Sequence, residues 1–317
     1  MKSISRMMTA LLAAALLIVM TAASAFAAES GVDWSDQKIS VQGMGVAPAN
    51  ARTAAQGRMM ARRAAVVDGY RQIAEIVKGL NVDSETTVEN MMVTNDITMT
   101  KVSALVQGAR VVSEEVTPDG GYIVNMEVSM FGVSDSLASA VLEKPAQQES
   151  FPAPVANVAP SAPTTVDVHV SVGGTGSTLP SVTTPSTPSL PSTTKPSGSS
   201  AAAAPAGKAI GGYTGLIVDC RGLGLKPAMS PVIKNANGQA IYGYKNLDYD
   251  KVVSGGMAGY TSDMGRASRA GSNPLVVKAV SLDNGANPVL SVADANRVLI
   301  ENGASGFLDA TNVVFVR

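Results

Sequence analysis

The chain has 317 residues, with 24 Lys+Arg against 25 Asp+Glu and a formal net charge of −1. A chain so nearly neutral offers no electrostatic case for binding nucleic acid. A single cysteine excludes an internal disulfide and a single histidine excludes a His-based metal cluster, so packed cores must supply the stability.

Residues 1–27 have the form of a secretory leader. Lys2 and Arg6 make the positive end, residues 10–20 the apolar centre, and Ala25-Phe26-Ala27 a small-x-small cleavage site. The apolar run is shorter than the roughly 20 residues a membrane span needs. No cysteine follows the expected cut, where the sequence reads Ala28-Glu29-Ser30, so no lipid anchor is expected. The chain therefore reads as exported to the periplasm or cell envelope, with peripheral membrane association left open. Loss of Lys2 and Arg6 would take the net charge from −1 to about −3.

Residues 28–144 form the first expected module. Residues 38–46 alternate as a strand, and Gly43-Met44-Gly45 frees the backbone for a turn or close packing. Asn50 is placed to cap a long helix that ends near Gly79. At 100° per residue Ala55, Met59, Val66, Tyr70, Ile73, Val77 and Leu80 fall on one stripe, and Asp68, Arg71, Glu75 and Lys78 on the solvated side. Arg62 falls on the apolar stripe, either as a snorkelling stem or as a contact to a partner or second subunit. With Gly43 and Gly45 on a strand expected near a sheet edge, it makes a candidate interface.

Residues 86–93 read as a strand, and residues 97–106 as a short helix or a second apolar strand. Residues 109–116 and 122–130 then alternate around Pro118-Asp119-Gly120-Gly121, a hairpin signal. The result is a helix packed on a mostly antiparallel sheet.

Gly43-x-Gly45, the Ala/Arg-rich helix at 51–65, the run at 79–86 and the closing Val111-Val112 with Tyr122-x-Val124 resemble the Lpp-twenty lipoprotein domain. That domain is similar to the N-terminal domain of flagellar assembly protein T and to flagellar protein P. The resemblance covers about residues 38–132. It implies a non-enzymatic envelope protein whose partners are envelope or flagellar proteins or further copies of itself, and it implies no cofactor. The missing lipidation cysteine departs from the family pattern.

Residues 145–209 read as a disordered Pro/Ser/Thr/Ala-rich linker. From 145 to 205 the chain holds 11 of its 17 prolines, and from 150 to 207 its only Asp, Glu, Lys or Arg are Asp167 and Lys195. Within it, Val166, Val168, Val170 and Val172 alternate as a strand would, with His169 on the polar side.

Residues 210–317 form the second expected module, α+β with a mixed sheet. A strand at 213–220 leads into Arg221-Gly222-Leu223-Gly224, which lacks the spacing of a phosphate loop. Asn237-Gly238 joins a hairpin, residues 255–271 form a Gly-rich loop, and Leu275 opens another strand. Ser291 caps a helix that is expected to end at Asn302-Gly303, and residues 312–316 close the sheet. Asp219, Arg221, Arg266 and Arg269 make a candidate pocket for an anionic group. Tyr242, Tyr244, Tyr249 and Tyr260 would suit a glycan if exposed, or the core if not. Cys220, in an apolar run, reads as a buried inert thiol. G-x-S-x-G does not occur, and no catalytic, metal or cofactor residue is assigned. The expected function is that of a structural or assembly protein of the envelope. The alternative is a periplasmic module that binds a glycan, peptidoglycan fragment or anionic ligand through the C-terminal Gly/Arg region.

Overall fold

The computed structural model describes residues 30–156, 158–161 and 207–317. The leader, the alternation at 166–172 and His169 lie outside the described residues. The first module is built from β1 (Gly31–Asp33), β2 (Lys38–Gly45), α1 (Ala54–Gly79), α2 (Val88–Thr94), α3 (Asp96–Gln107), β3 (Arg110–Val116), β4 (Tyr122–Ser129) and α4 (Leu137–Val141). Its four strands form an antiparallel sheet in the order β1-β2-β4-β3, with α1 laid across one face. The turn between β3 and β4 is the expected one, with Gly120 at φ +86°.

Helix α1 starts later than expected, because Thr53 rather than Asn50 accepts the N-cap bond from the Gln56 N–H. Its buried face also differs in the first half. Ile73 and Val77 are buried as expected, but Gly57, Ala61, Ala65 and Gly69 take the place of Ala55 and Met59, which are exposed. The reason lies on the facing strand. Cβ atoms on Gly43 and Gly45 would overlap the carbonyl oxygens of Ala65 and Ala61. Small residues on both sides let the helix and strand backbones approach to a distance that any larger side chain would prevent.

Residues 86–93, expected as a strand, form helix α2 instead. Thr87 accepts from the Asn90 N–H and so starts a helix, while the strand-like part shrinks to one bridge between Asn81 and Thr87. The choice left open at 97–106 resolves as helix, with Asn95 capping α3.

The second module contains β5 (Gly215–Asp219), β6 (Ile233–Asn235), β7 (Ala240–Tyr242), α5 (Tyr249–Gly255), β8 (Gly259–Thr261), β9 (Pro274–Lys278), β10 (Ser281–Asp283), β11 (Asn287–Leu290), α6 (Val292–Ser305) and β12 (Val313–Val316). The mixed sheet has the order β10-β11-β6-β7, and its Asn-Gly turn has Gly238 at φ +82°. Beside it stands a wholly parallel sheet, β8-β12-β5-β9. Both modules are α+β, as expected. Helix α5, not expected from the sequence, lies just before the Gly-rich segment, where Asp248 caps it through the Lys251 N–H. Helix α6 passes Gly303 and stops at Gly306, which takes the left-handed conformation at φ +68°.

The modules share one continuous hydrophobic core. Ile39, Ile73, Met126 and Met130 belong to the same buried cluster as Tyr242, Val253, Leu275 and Phe315. The expected linker also begins later than residue 145. Phe151 stacks on Tyr242 at 6.4 Å between ring centroids. The Glu149 N–H donates to the Lys245 carbonyl at 2.8 Å, and Asn296 accepts from the Val155 N–H at 2.7 Å. Residues 145–156 and 158–161 thus lie as a strap along the second module. A polar, Pro-rich composition does not prevent docking when buried Asn246 and Asn296 satisfy the backbone.

Candidate functional site

The candidate interface of Gly43, Gly45 and Arg62 resolves into structural parts. Gly43 and Gly45 face α1 rather than a partner. The far edge of β2, beyond the reach of the short β1, is closed by side chains. Ser30 accepts from the Gln42 N–H at 3.0 Å, Asp68 accepts from the Met44 N–H at 3.1 Å, and Gln72 donates to the Gln42 carbonyl at 2.9 Å. An edge blocked in this way cannot add a further strand.

Arg62 spans from the helix to the sheet and forms a two-pronged pair with Glu114 of β3, with Nε to Oε2 at 2.8 Å. The Tyr122 hydroxyl donates to the same carboxylate at 2.8 Å. These bonds, Arg62 first and Tyr122 second, depress the Glu114 carboxyl to about 2.

The four residues of the candidate anion pocket are not brought together. Arg221 folds back on Asp219 in a bidentate pair, with bonds of 2.9 and 2.7 Å, at the C-terminal end of β5. That hydrogen bonding holds the Asp219 carboxyl below its usual range. Arg269 sits at the other end of the parallel sheet. Its guanidinium donates to the Thr311 carbonyl at 2.7 Å and to the carbonyls of Gly255 and Gly256. Burial lowers its pKa, and its charge is met by carbonyls that tie the α5 exit to the entry of β12. Since Asp219 aligns with Val316 and Thr311 precedes β12, the length of that strand, about 10 Å, separates the two arginine clusters. Arg266 is exposed, on a short turn after β8.

The tyrosines proposed for a glycan serve packing. Tyr242 and Tyr260 are buried, donating to the Met257 and Ala228 carbonyls, and Tyr244 donates across the seam to the Glu143 carbonyl at 2.7 Å. Cys220 is buried, and that burial pushes its thiol up to about 12. Among the described residues, no group of three His, Cys, Asp or Glu side chains could hold a metal.

The seam itself is the arrangement that sequence reasoning missed. Trp34 meets Tyr260 edge-on at 5.2 Å, and the Gly132 N–H donates to the Val253 carbonyl at 2.8 Å. The N–H groups of Met229 and Ser230 donate to the carbonyls of Asn81 and Val82 at 3.0 and 2.7 Å. An open groove of about 830 Å³, lined by the first module alone, runs over the polar face of its sheet. Lys38 and Arg110 flank Glu127 in its floor, with Lys101 and Asp135 in its walls.

A second feature sits on α6, where Arg297 and Glu301 form a buried ion pair at 2.8 Å. Arg297 also donates to the Ser161 carbonyl, and Glu301 accepts from the Ile210 and Gly211 N–H groups. Pro160 lies directly against Gly207. One buried pair therefore bonds both to Ser161 and to the Ile210–Gly211 backbone.

Residues 33–129 match the LPP20 lipoprotein family. The matched span runs from the last residue of β1 to the end of β4, and so takes in β2, β3, β4 and the helix packed on them. Residues 215–317 match a second family, described as Treponema pallidum Tp0624, second domain. That span runs from the first residue of β5 through β12 and holds both sheets of the second module. The LPP20 and Tp0624 portions are thus the two halves that meet at the seam. No curated protein matches the chain. Among the described residues, no helix is long and apolar enough to cross a membrane.

Proposed function

We propose that the chain is a non-enzymatic, exported cell-envelope protein that acts as a structural or assembly element, in the periplasm or at the outer membrane. The LPP20 match supports the envelope setting. The observation that carries the assembly role is the seam, where two small modules share one core and present a single rigid body. Rigid coupling suits a part that must hold binding surfaces at fixed separation. The polar groups a reaction would need are engaged elsewhere: Asp219 with Arg221, Arg269 with carbonyls, and Cys220 in the core. A flagellar setting is the finer form of this reading, supported by resemblance alone. The alternative, a glycan- or anion-binding module using the C-terminal Gly/Arg region, has little support, because Arg269, Tyr242 and Tyr260 face inward and Arg221 is paired with Asp219.

The test is fractionation of cells with in-cell crosslinking of the native chain. The expected result is recovery with the envelope in a crosslinked species larger than the monomer. Recovery from the cytoplasm, or as an uncrosslinked monomer throughout, would overturn the proposal. Deleting the gene and scoring swimming separately decides the flagellar setting, and unchanged motility would remove it.

A further inference from the structure

Charge in the first module is segregated along the chain. From Val46 to Val67 there are four arginines (Arg52, Arg58, Arg62 and Arg63) and no acid. From Gly79 to Thr100 there are four acids (Asp83, Glu85, Glu89 and Asp96) and no Lys or Arg. Helix α1 places these two stretches at opposite ends. The basic stretch surrounds its start, where a Cβ on Gly57 would sit 3.3 Å from the Ala47 Cβ and Gly45 abuts Ala61. The acidic stretch follows its end, where the Val88 N–H donates to the Leu80 carbonyl. A helix of 26 residues is about 39 Å long, so the two groups of charges cannot neutralise each other within one molecule.

Each end also exposes large apolar side chains. At the basic end Met59 is 75% exposed and Val46 74%, and at the acidic end Val93 is 81% and Ile97 67% exposed. Local partners do not explain the charges. Glu114 is taken by Arg62 and Tyr122, and Asp119 accepts from the Thr117 hydroxyl. Among the described residues, Arg52, Arg58 and Arg63 form no ion pair, nor do Glu89 and Asp96. The acidic corner lies beside the seam, where Asn95 donates to Glu143, whose carbonyl accepts from Tyr244 of the second module.

We infer that the two ends are the complementary halves of one head-to-tail interface, and that the occupant of each is a second copy of this chain. Met59 and Val46 of one copy would cover Val93 and Ile97 of the next, while Arg58 and Arg63 meet Glu89 and Asp96. An interface between two different patches repeats from copy to copy, so it produces an open or closed chain of subunits rather than a two-fold dimer. This rests on the assembly reading above and names the partner and the surfaces.

The experiment is analytical ultracentrifugation of the full chain, comparing wild type, R58E/R63E, E89R/D96R and the fourfold variant that carries all these changes. Wild type should form a concentration-dependent series that weakens with added salt. Each double variant should associate more weakly by at least about tenfold, because like charges then face each other, while the fourfold variant regains association. All these positions are on the surface, so melting temperatures should change little. A wild type that stays monomeric overturns the inference without touching the envelope reading, which fractionation decides separately. Double variants that associate like wild type overturn it as well. So does flotation of wild type, but not R58E/R63E, with phosphatidylglycerol vesicles in the absence of self-association, which would assign the basic end to a membrane.

Discussion

Arg62 shows how an angle on a helical wheel misleads when the facing sheet is unknown. Its place on the expected stripe suggested a snorkelling stem or a contact to a partner, whereas Glu114, to which Tyr122 also donates, pairs with it from the sheet. Arg62→Glu should therefore lower stability measurably, and R62E/E114R should recover most of the loss in a double-mutant cycle followed by urea denaturation. The pair also has a pH signature. The folded-state carboxyl of Glu114 is depressed to about 2, so its contribution is complete above the ordinary carboxylate value near 4.5. That contribution is lost as pH falls from 4.5 through 2, and Glu114→Gln should flatten the acid limb of the stability curve over that window. Cys220 gives the opposite kind of residue-level test. A buried thiol raised to about 12 should ignore a thiol reagent at neutral pH until the chain is denatured, and rapid labelling of native protein would contradict its burial.

At the scale of elements, the close fit of α1 on β2 makes two glycines critical. Gly43→Ala or Gly45→Ala sets a methyl group against helix backbone that cannot yield, and each should cost about 3 kcal/mol. Gly79→Ala, with open space around its Cβ position, should stay within about 0.5 kcal/mol of wild type in the same denaturation assay. The elements legible in the sequence were those with local signals. The Asp-Gly and Asn-Gly hairpins, the Ser291 cap and the strand at 38–45 all declare themselves within a few residues. The small-residue face of α1 was not legible, because Gly and Ala add almost nothing to an apolar periodicity even when fully buried. Helix α2 was read as a strand because seven residues are too few for period alone to decide. Arg269 was read as part of a candidate anion pocket, whereas its carbonyl partners come from residues 14 and 42 positions away, which no spacing reveals.

For the whole molecule, the seam replaces the picture of two modules held apart by a tether. A protease site inserted between Ser186 and Thr187 should yield two pieces that elute together on size exclusion, since the shared core does not depend on that peptide bond. Separate elution would show that the seam is too weak to matter. The seam escaped the sequence because it is assembled from single residues, such as Trp34, Asn81, Phe131 and Tyr260, scattered over both halves. The parallel sheet carries a further consequence, for the time order of folding. Strand β12 lies between β8 and β5, and its partner β5 was made about a hundred residues earlier. Neighbours so distant in sequence close slowly, because a long loop must be ordered before any pairing is gained. Until β12 arrives, Leu216, Val218 and Tyr260 have no central strand to pack around, so a chain stalled short of residue 313 would be a target for chaperones and proteases rather than a partly working protein.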